Sequence, residues 1–254
     1  MKIAVVTGAS SGMGRAFALQ LDEEYLYDEI WVIARREDRL RALKTRAKLR
    51  VLPMDLKNSV SFETYTALLD YAKPDIRTLV NASGYGNFEP FEQSAPEDVA
   101  GIIDLNCKAL AMMTRLSLPY MHKGAQIINI GSLSAFQPVP YMISYASSKA
   151  MVLSFTRGLN VELKPRGIRA IAVCPGWVDT EFIGKAQARD KTAVTFFNKV
   201  FTAEDVVKKA LKDLKNGKDV SVLGFGVRAQ VLLVKLLPHR LVMKIWMRQQ
   251  GHKD

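Results

Sequence analysis

Residues 2–14 read KIAVVTGASSGMG, and this stretch decides the fold. Residues 2–7 are a short apolar run stopped by a glycine, the pattern of a buried strand. Gly8, Gly12 and Gly14 follow where that strand turns directly into a helix predicted over 12–22. Gly8 permits a tight turn, Gly12 lets the backbone approach a pyrophosphate, and Gly14 allows close packing of helix on strand. The N-terminus of the helix favours negative charge. A plain strand–helix turn can also use a glycine cluster. The strand–turn–helix context favours a dinucleotide, with Ser10, Ser11 and Met13 completing the cradle.

Outward from this turn, short apolar runs alternate with helical patterns. Strands are predicted at 2–7, 29–34, 50–52, 78–81, 126–130 and 169–174, and helices at 12–22, 37–46, 59–71, 96–121 and 145–163. This βαβ alternation implies an α/β fold, a parallel sheet with helices on both faces. Pro96 with Glu97 and Asp98 after Ser94 marks one helix start, and Lys57-Asn58-Ser59 marks another. No repeat or linker is visible, so residues 1–254 are expected to form a single domain with a helical extension at 228–248.

The chain has 254 residues, 48% hydrophobic and 24% charged, ordinary globular values. Cys107 and Cys174 lie far apart in apolar segments, which argues against a disulfide framework and suits a reducing compartment. The N-terminal residues enter the first strand without a secretory pattern, and no apolar stretch is long enough to span a bilayer. A cytoplasmic location is expected. The net charge of +11 favours phosphates, anionic lipid or nucleic acid. Nucleic acid ranks last, because no recognisable nucleic-acid module accompanies the charge.

A second stretch carries the chemistry: residues 132–149, SLSAFQPVPYMISYASSK. Tyr145 and Lys149 stand at i and i+4, one turn apart on a helix face. Pro138 and Pro140 delay that helix to about Ser144. Ser132 closes the strand at 126–130. A strand-end hydroxyl and a helical Tyr–Lys pair can therefore meet in one volume and move a proton to a carbonyl oxygen. A free phenol has a pKa of about 10, and a neighbouring ammonium lowers it. Ser132 would hold the substrate oxygen. The bland alternative is an amphipathic helix with a surface Tyr and Lys.

Taken together, Thr7-Gly8-x-x-x-Gly12-x-Gly14, Asp55, Asn81, Asn106, Ser132, Tyr145, Lys149 and Pro175-Gly176 resemble the short-chain dehydrogenase/reductase family from residue 2 to about 180. The resemblance implies a doubly wound, Rossmann-like parallel sheet, a nicotinamide cofactor and interconversion of an alcohol and a carbonyl. It implies Tyr145 as general acid/base, Ser132 orienting the substrate oxygen, and Lys149 holding the nicotinamide ribose and lowering the Tyr145 pKa. Asn106 would hold a water in a proton relay, and Asp55 with Leu56 would meet the adenine. Asn81, Ala82 and Ser83 would line the cofactor wall, with Pro175, Gly176, Val178 and Thr180 beside the nicotinamide. A homodimer or homotetramer is expected, and no metal ligands are. The family's usual Asn-Asn-Ala-Gly after strand four is Asn81-Ala82-Ser83-Gly84 here.

Cofactor choice is read at the end of the second strand. Ala34 stands where an acid would bond the ribose 2′-hydroxyl, and Arg35 and Arg36 follow it. Guanidinium groups bind phosphate bidentately, so NADP(H) is expected over NAD(H), mainly through Arg35. Some relatives of that type carry a basic residue where Ser11 stands. Residues 177–200 are the expected substrate lid. Phe88, Phe136, Tyr141, Trp177, Phe182, Phe196 and Phe197 could build an apolar pocket for a steroid, a fatty-acyl chain or a similar carbonyl compound. A nucleotide-binding regulatory or interaction protein on the same fold is the alternative, and the intact Asn106, Ser132, Tyr145 and Lys149 argue against it.

The tail at 228–248 has apolar residues punctuated by cations and a break at Pro238. It reads as a flap over the cleft or a subunit contact. Alternatively, Leu232, Leu233, Leu236, Leu237, Ile245 and Trp246 form a face for peripheral membrane contact.

Overall fold

The computed structural model describes residues 1–252. Strands β1 (Lys2–Thr7), β2 (Glu29–Ala34), β3 (Lys48–Pro53), β4 (Asp75–Asn81), β5 (Gln126–Ile130) and β6 (Arg169–Val173) all pair in parallel. A separate parallel pair is formed by β7 (Trp177–Val178) and β8 (Val200–Phe201), and β9 (Val220–Ser221) joins the main sheet beside β6. The seven-stranded sheet runs β3-β2-β1-β4-β5-β6-β9. Its order reverses between β1 and β4, and at such a switch point the carboxyl ends of the strands leave a crevice for a ligand.

The pleat sorts β1 between two cores. Ala4 and Val6 pack with Phe17 and Leu21 of α1 (Gly12–Glu24). Ile3 and Val5 face Phe62, Tyr65 and Leu69 of α3 (Ser59–Ala72) on the other side. Between these helices lies the short α2 (Glu37–Arg41). It stops well before residue 46, because the Asp22 carboxylate accepts the amides of Arg46 (2.7 Å) and Ala47 (2.9 Å) and draws that segment off the helix.

The helix predicted over 96–121 is divided. It comprises α4 (Pro96–Ile103), a wide π turn (Asp104–Lys108), α5 (Ala109–Ser117) and a tight turn at Leu118–Tyr120 that contains Pro119. Asn106 sits in the π turn, a distortion often found at functional sites. The start of α4 is capped at Ala95 rather than Ser94, without a side-chain hydrogen bond. Asn58 does cap α3, accepting the Val60 amide at 3.0 Å. The catalytic-stretch helix α6 (Ile143–Glu162) begins just past the prolines, as expected.

Beyond residue 174 the chain adds three further elements besides β7 and β8 before the tail. These are α7 (Glu181–Ala186), α8 (Ala203–Lys215) and β9; the tail folds as α9 (Phe225–Leu236) and α10 (His239–Gln249), separated by Pro238. Helix α8 lies beside α1 and buries Val206, Val207, Ala210, Leu211 and Leu214 in the same core.

One buried charge fastens the far side of the sheet. Glu29 on β2 accepts from Trp31 Nε1 (2.9 Å), Lys48 Nζ (3.0 Å) and Arg50 Nε (2.8 Å). Burial alone would push its pKa up, but the three donors together hold it at about 2. A folded-state value below the ordinary one means the contribution is full above the ordinary carboxylate value of 4.5 and is lost as pH falls towards 2. Glu29→Gln should cost about 1–3 kcal/mol at neutral pH. The gap to wild type should narrow by about pH 3 in urea unfolding, on the same linkage. A gap that stayed constant would assign the loss to shape rather than charge.

Candidate active site

A cleft of about 590 Å³ opens over the carboxyl ends of β1 and β4. At one end lies the glycine turn. Gly8 and Gly12 adopt φ of +68° and +51°, which only glycine enters without strain. A Cβ on Gly14 would lie 2.3 Å from the Gly8 carbonyl oxygen, so no side chain fits there. Ser11 is the N-cap of α1 but makes no capping bond; its hydroxyl instead accepts from Arg36 Nη2 at 2.8 Å. Gly12, Met13 and Gly14 therefore line the cleft with no side-chain acceptor on the first-turn amides. Such a cradle fits a pyrophosphate.

Of the two arginines after β2, Arg36 makes the contacts. Its guanidinium reaches Ser10 Oγ (3.1 Å) and Ser11 Oγ (2.8 Å), so a cation occupies the neighbourhood of Ser11 although residue 11 is neutral. Arg35 stands exposed on the rim. Asp55, Leu56, Ala82 and Ser83 line the same cleft. Asn81 does not. It is buried, and its amide donates to Thr114 Oγ1 (3.0 Å) and Asn129 Oδ1 (2.8 Å), tying β4 to α5 and β5.

At the other end, Ser132, Tyr145 and Lys149 share the wall with Pro175, Gly176, Val178 and Thr180. Lys149 Nζ donates to the Ile130 carbonyl (2.7 Å) and lies 5.6 Å from the Tyr145 ring centre. Asn106 is one layer behind. It clasps the backbone of Tyr85 at both N–H (3.1 Å) and C=O (2.9 Å) and donates to Ser148 Oγ (2.9 Å). A Cβ on Gly84 would fall 2.9 Å from Asn106 Oδ1 and 3.5 Å from Lys149 Nζ, so these two groups border one small space.

The electrostatics depart from the expected pattern. Burial pushes Tyr145 up to about 12, and a hydrogen bond with Ser132 only partly opposes it. Burial also draws Lys149 down to about 8. The phenol thus stands above its ordinary value rather than below it, because the cost of removing charge from water outweighs the Ser132 hydrogen bond.

The lid and tail complete the cleft. Thr180 caps α7 and lies over Gly12, its Cγ2 3.0 Å from where a Cβ would be. The next residue, Glu181, binds Arg36 (2.8 Å), Lys185 (2.5 Å) and Arg39. Of the seven aromatics proposed for the pocket, Trp177, Phe182 and Phe196 line it, with Phe182 5.0 Å from Tyr145 between ring centres. Phe88 and Phe197 pack behind Trp177. Phe136 lies under Lys235. Tyr141 is stacked on His252 (4.2 Å) instead of lining the cleft. Trp246, which only the membrane-contact reading of the tail had on an outer face, lines the cleft, its Nε1 donating to the Pro140 carbonyl at 3.1 Å.

The glycine turn and the wall formed by Ser132, Tyr145 and Lys149 thus face one cleft. The chain matches the short chain dehydrogenase family model over residues 2–191. An uncharacterized oxidoreductase of Staphylococcus epidermidis is 32% identical over 185 residues, 70% of this chain and 79% of that protein. One from Staphylococcus aureus is 27% identical over 232 residues, 89% of this chain and 96% of the relative. Among solved structures, a short-chain dehydrogenase from Sphingobium yanoikuyae in complex with NADPH aligns with a TM-score of 0.78 at 27% identity, covering 96% of each chain. A Burkholderia phymatum short-chain dehydrogenase/reductase in complex with NAD shares the fold at a TM-score of 0.77 and 23% identity, over 91% of this chain and 92% of that one. The chain belongs to the short-chain dehydrogenase/reductase family and is an NAD(P)-dependent oxidoreductase.

Sequence reasoning passed over Glu181 and Gly86. Gly86 follows β4 closely and is more constrained than its position suggested. A Cβ there would sit 2.6–2.9 Å from Cδ2, Cγ and Cβ of Tyr145, all close to the backbone of α6. Gly86→Ala must therefore shift the Tyr145 ring. We expect turnover to fall at least about tenfold with cofactor affinity little changed, because small displacements at a reacting centre are costly. Steady-state kinetics and cofactor titration read the two effects separately, and unchanged turnover would show that the ring tolerates the contact.

Proposed function

We propose that this protein is an NADP(H)-preferring reductase that interconverts apolar ketones or aldehydes with their alcohols. The observation that carries the reading is the convergence of Ser132, Tyr145 and Lys149 on the cleft wall opposite the glycine turn. A nicotinamide dinucleotide bound along the cleft supplies the hydride. Gly8, Gly12 and Gly14 would admit its pyrophosphate, and Arg36 would bind a 2′-phosphate. Lys149 holds the ribose hydroxyls, and Ser132 donates to the substrate oxygen.

Tyr145 exchanges the proton with that oxygen. Held near 12, it is protonated at neutral pH. That form gives a proton to an oxygen gaining negative charge, so the resting site is set for reduction. Lys149, near 8, remains mostly an ammonium at pH 7 and stabilises the phenolate left behind. Asn106 supports the site from the rear through Tyr85 and Ser148. Trp177, Phe182, Phe196 and Trp246 give the substrate end an apolar lining, which suits a lipophilic carbonyl compound.

Tyr145→Phe should retain cofactor binding and lose about 10²–10⁴-fold in turnover, the usual worth of a positioned acid–base group. A panel of ketones, aldehydes and hydroxysteroids with NADPH identifies a substrate first, and single-turnover kinetics then measures the loss. Wild-type rates in the variant would remove Tyr145 from the chemistry.

Cofactor preference is tested by paired substitutions. Arg36→Asp should move the kcat/KM ratio of NADPH to NADH towards NADH by at least about tenfold, because it replaces a phosphate partner with a repelling carboxylate. Arg35→Asp should move it less. A ratio unaltered in both variants would mean that neither residue reads the phosphate.

A further inference from the structure

Helices α9 and α10 present an inner and an outer face. Inward, Gln230, Trp246 and Gln249 line the cleft. Gln250 is buried, and its Oε1 accepts the amides of Thr195 (2.8 Å) and Phe196 (2.9 Å), which ties the end of the tail to the lid.

Outward, apolar side chains stand in water in helical register. Phe225 and Leu236 are each 81% exposed and Leu232 is 63% exposed, at spacings of seven and four that keep them on one face of α9. Leu241 and Ile245 repeat the pattern one turn apart on α10. Single exposed apolar residues are ordinary, but a row of them marks an interaction surface.

Charge identifies the partner. No aspartate or glutamate occurs between Asp219 and Asp254, whereas Arg228, Lys235, Arg240, Lys244 and Arg248 all lie in that span. Arg240, Lys244 and Arg248, spaced by four, form a row beside Leu241 and Ile245. A second copy docked by the same face would bring its basic residues against these basic residues. An anionic bilayer meets both requirements. It accepts the apolar row, while the long basic side chains reach its headgroups. No helix among the described residues is long and apolar enough to cross a membrane, so such contact is interfacial.

We propose that the outer face of α9 and α10 binds an anionic lipid surface. The same helices form one wall of the cleft, so docking brings the cleft next to the phase in which lipophilic compounds dissolve. The proposal stands on this surface and not on the reaction: Tyr145→Phe should bind vesicles as wild type does, whatever its turnover.

The test is co-sedimentation of the full chain with phosphatidylcholine vesicles and with phosphatidylcholine–phosphatidylglycerol vesicles. Binding is expected only to the anionic set. Leu232→Asp/Leu236→Asp should weaken it at least about tenfold, as should Arg240→Gln/Lys244→Gln. Circular dichroism and cofactor titration check folding, and the second pair, on an exposed surface, guards against misfolding of the first. Absence of wild-type binding to anionic vesicles overturns the proposal. So does undiminished binding by both variants. A change of oligomeric mass in Leu232→Asp/Leu236→Asp by sedimentation velocity, with no wild-type vesicle binding, would make the face a subunit contact instead.

Discussion

Backbone must touch backbone where β1, β4 and α1 meet, and the cleft depends on that approach. A Cβ on Gly8 would lie 2.6 Å from the Ala82 carbonyl oxygen, just as one on Gly14 would strike Gly8. Thr7 Oγ1 fastens the junction by accepting the amides of Ala82 (3.0 Å) and Ser83 (3.2 Å), and the Gly8 amide donates to Ile33 (2.8 Å). The ends of β1, β2 and β4 are thereby locked in one register. Side chains at these glycines would wedge the strands apart, and that cost is steric, not a matter of propensity.

From that junction a buried polar chain fixes Tyr145 and Lys149 without entering the cleft. Asn81 links β4 to Asn129 of β5, and Asn129 donates in turn to Thr156 of α6 (2.9 Å). Asn106 reaches α6 a second time through Ser148, whose hydroxyl bonds the Tyr145 carbonyl at 2.7 Å. Buried polar groups are costly unless paired, so the pairings hold α6 from two sides. Tyr145 and Lys149 lie on that helix and inherit its position. This explains how Asn81 and Asn106 matter to the site while standing behind it.

What the sequence made legible follows periodicity and motif. The six long strands and the glycine turn could be read because burial imposes pattern directly on local sequence. The division of 96–121 could not, since a π turn leaves composition helical. The early end of α2 depends on Asp22, far from it in sequence. Helix α8 was readable in principle: Thr202 caps it by accepting the Asp205 amide (3.1 Å) while its hydroxyl donates to the Asp205 carboxylate (2.9 Å), followed by Val206, Val207, Ala210 and Leu211 at helical spacing. Within the site, local motif placed Ser132, Tyr145 and Lys149 on one wall. It could not show that Arg36 rather than Arg35 turns inward, nor that Trp246 faces the cleft, because both depend on contacts made across the fold.

The two ends of the cleft handle charge in opposite ways. At the reacting end, Tyr145 and Lys149 are buried, so each is displaced strongly towards its neutral form and their geometry is set by packing. At the arginine end, Glu181 is held well below the ordinary carboxylate range by Lys185, Arg39 and Arg36, all partly exposed. Exposed ion pairs contribute little, so this knot ties the segment lightly and its partners exchange at small cost. An anion entering beside Arg36 therefore competes with a weakly held carboxylate, whereas nothing entering beside Tyr145 can reorder its surroundings so cheaply. Rigidity is concentrated around Tyr145 and Lys149, and adaptability around Arg36 and Glu181.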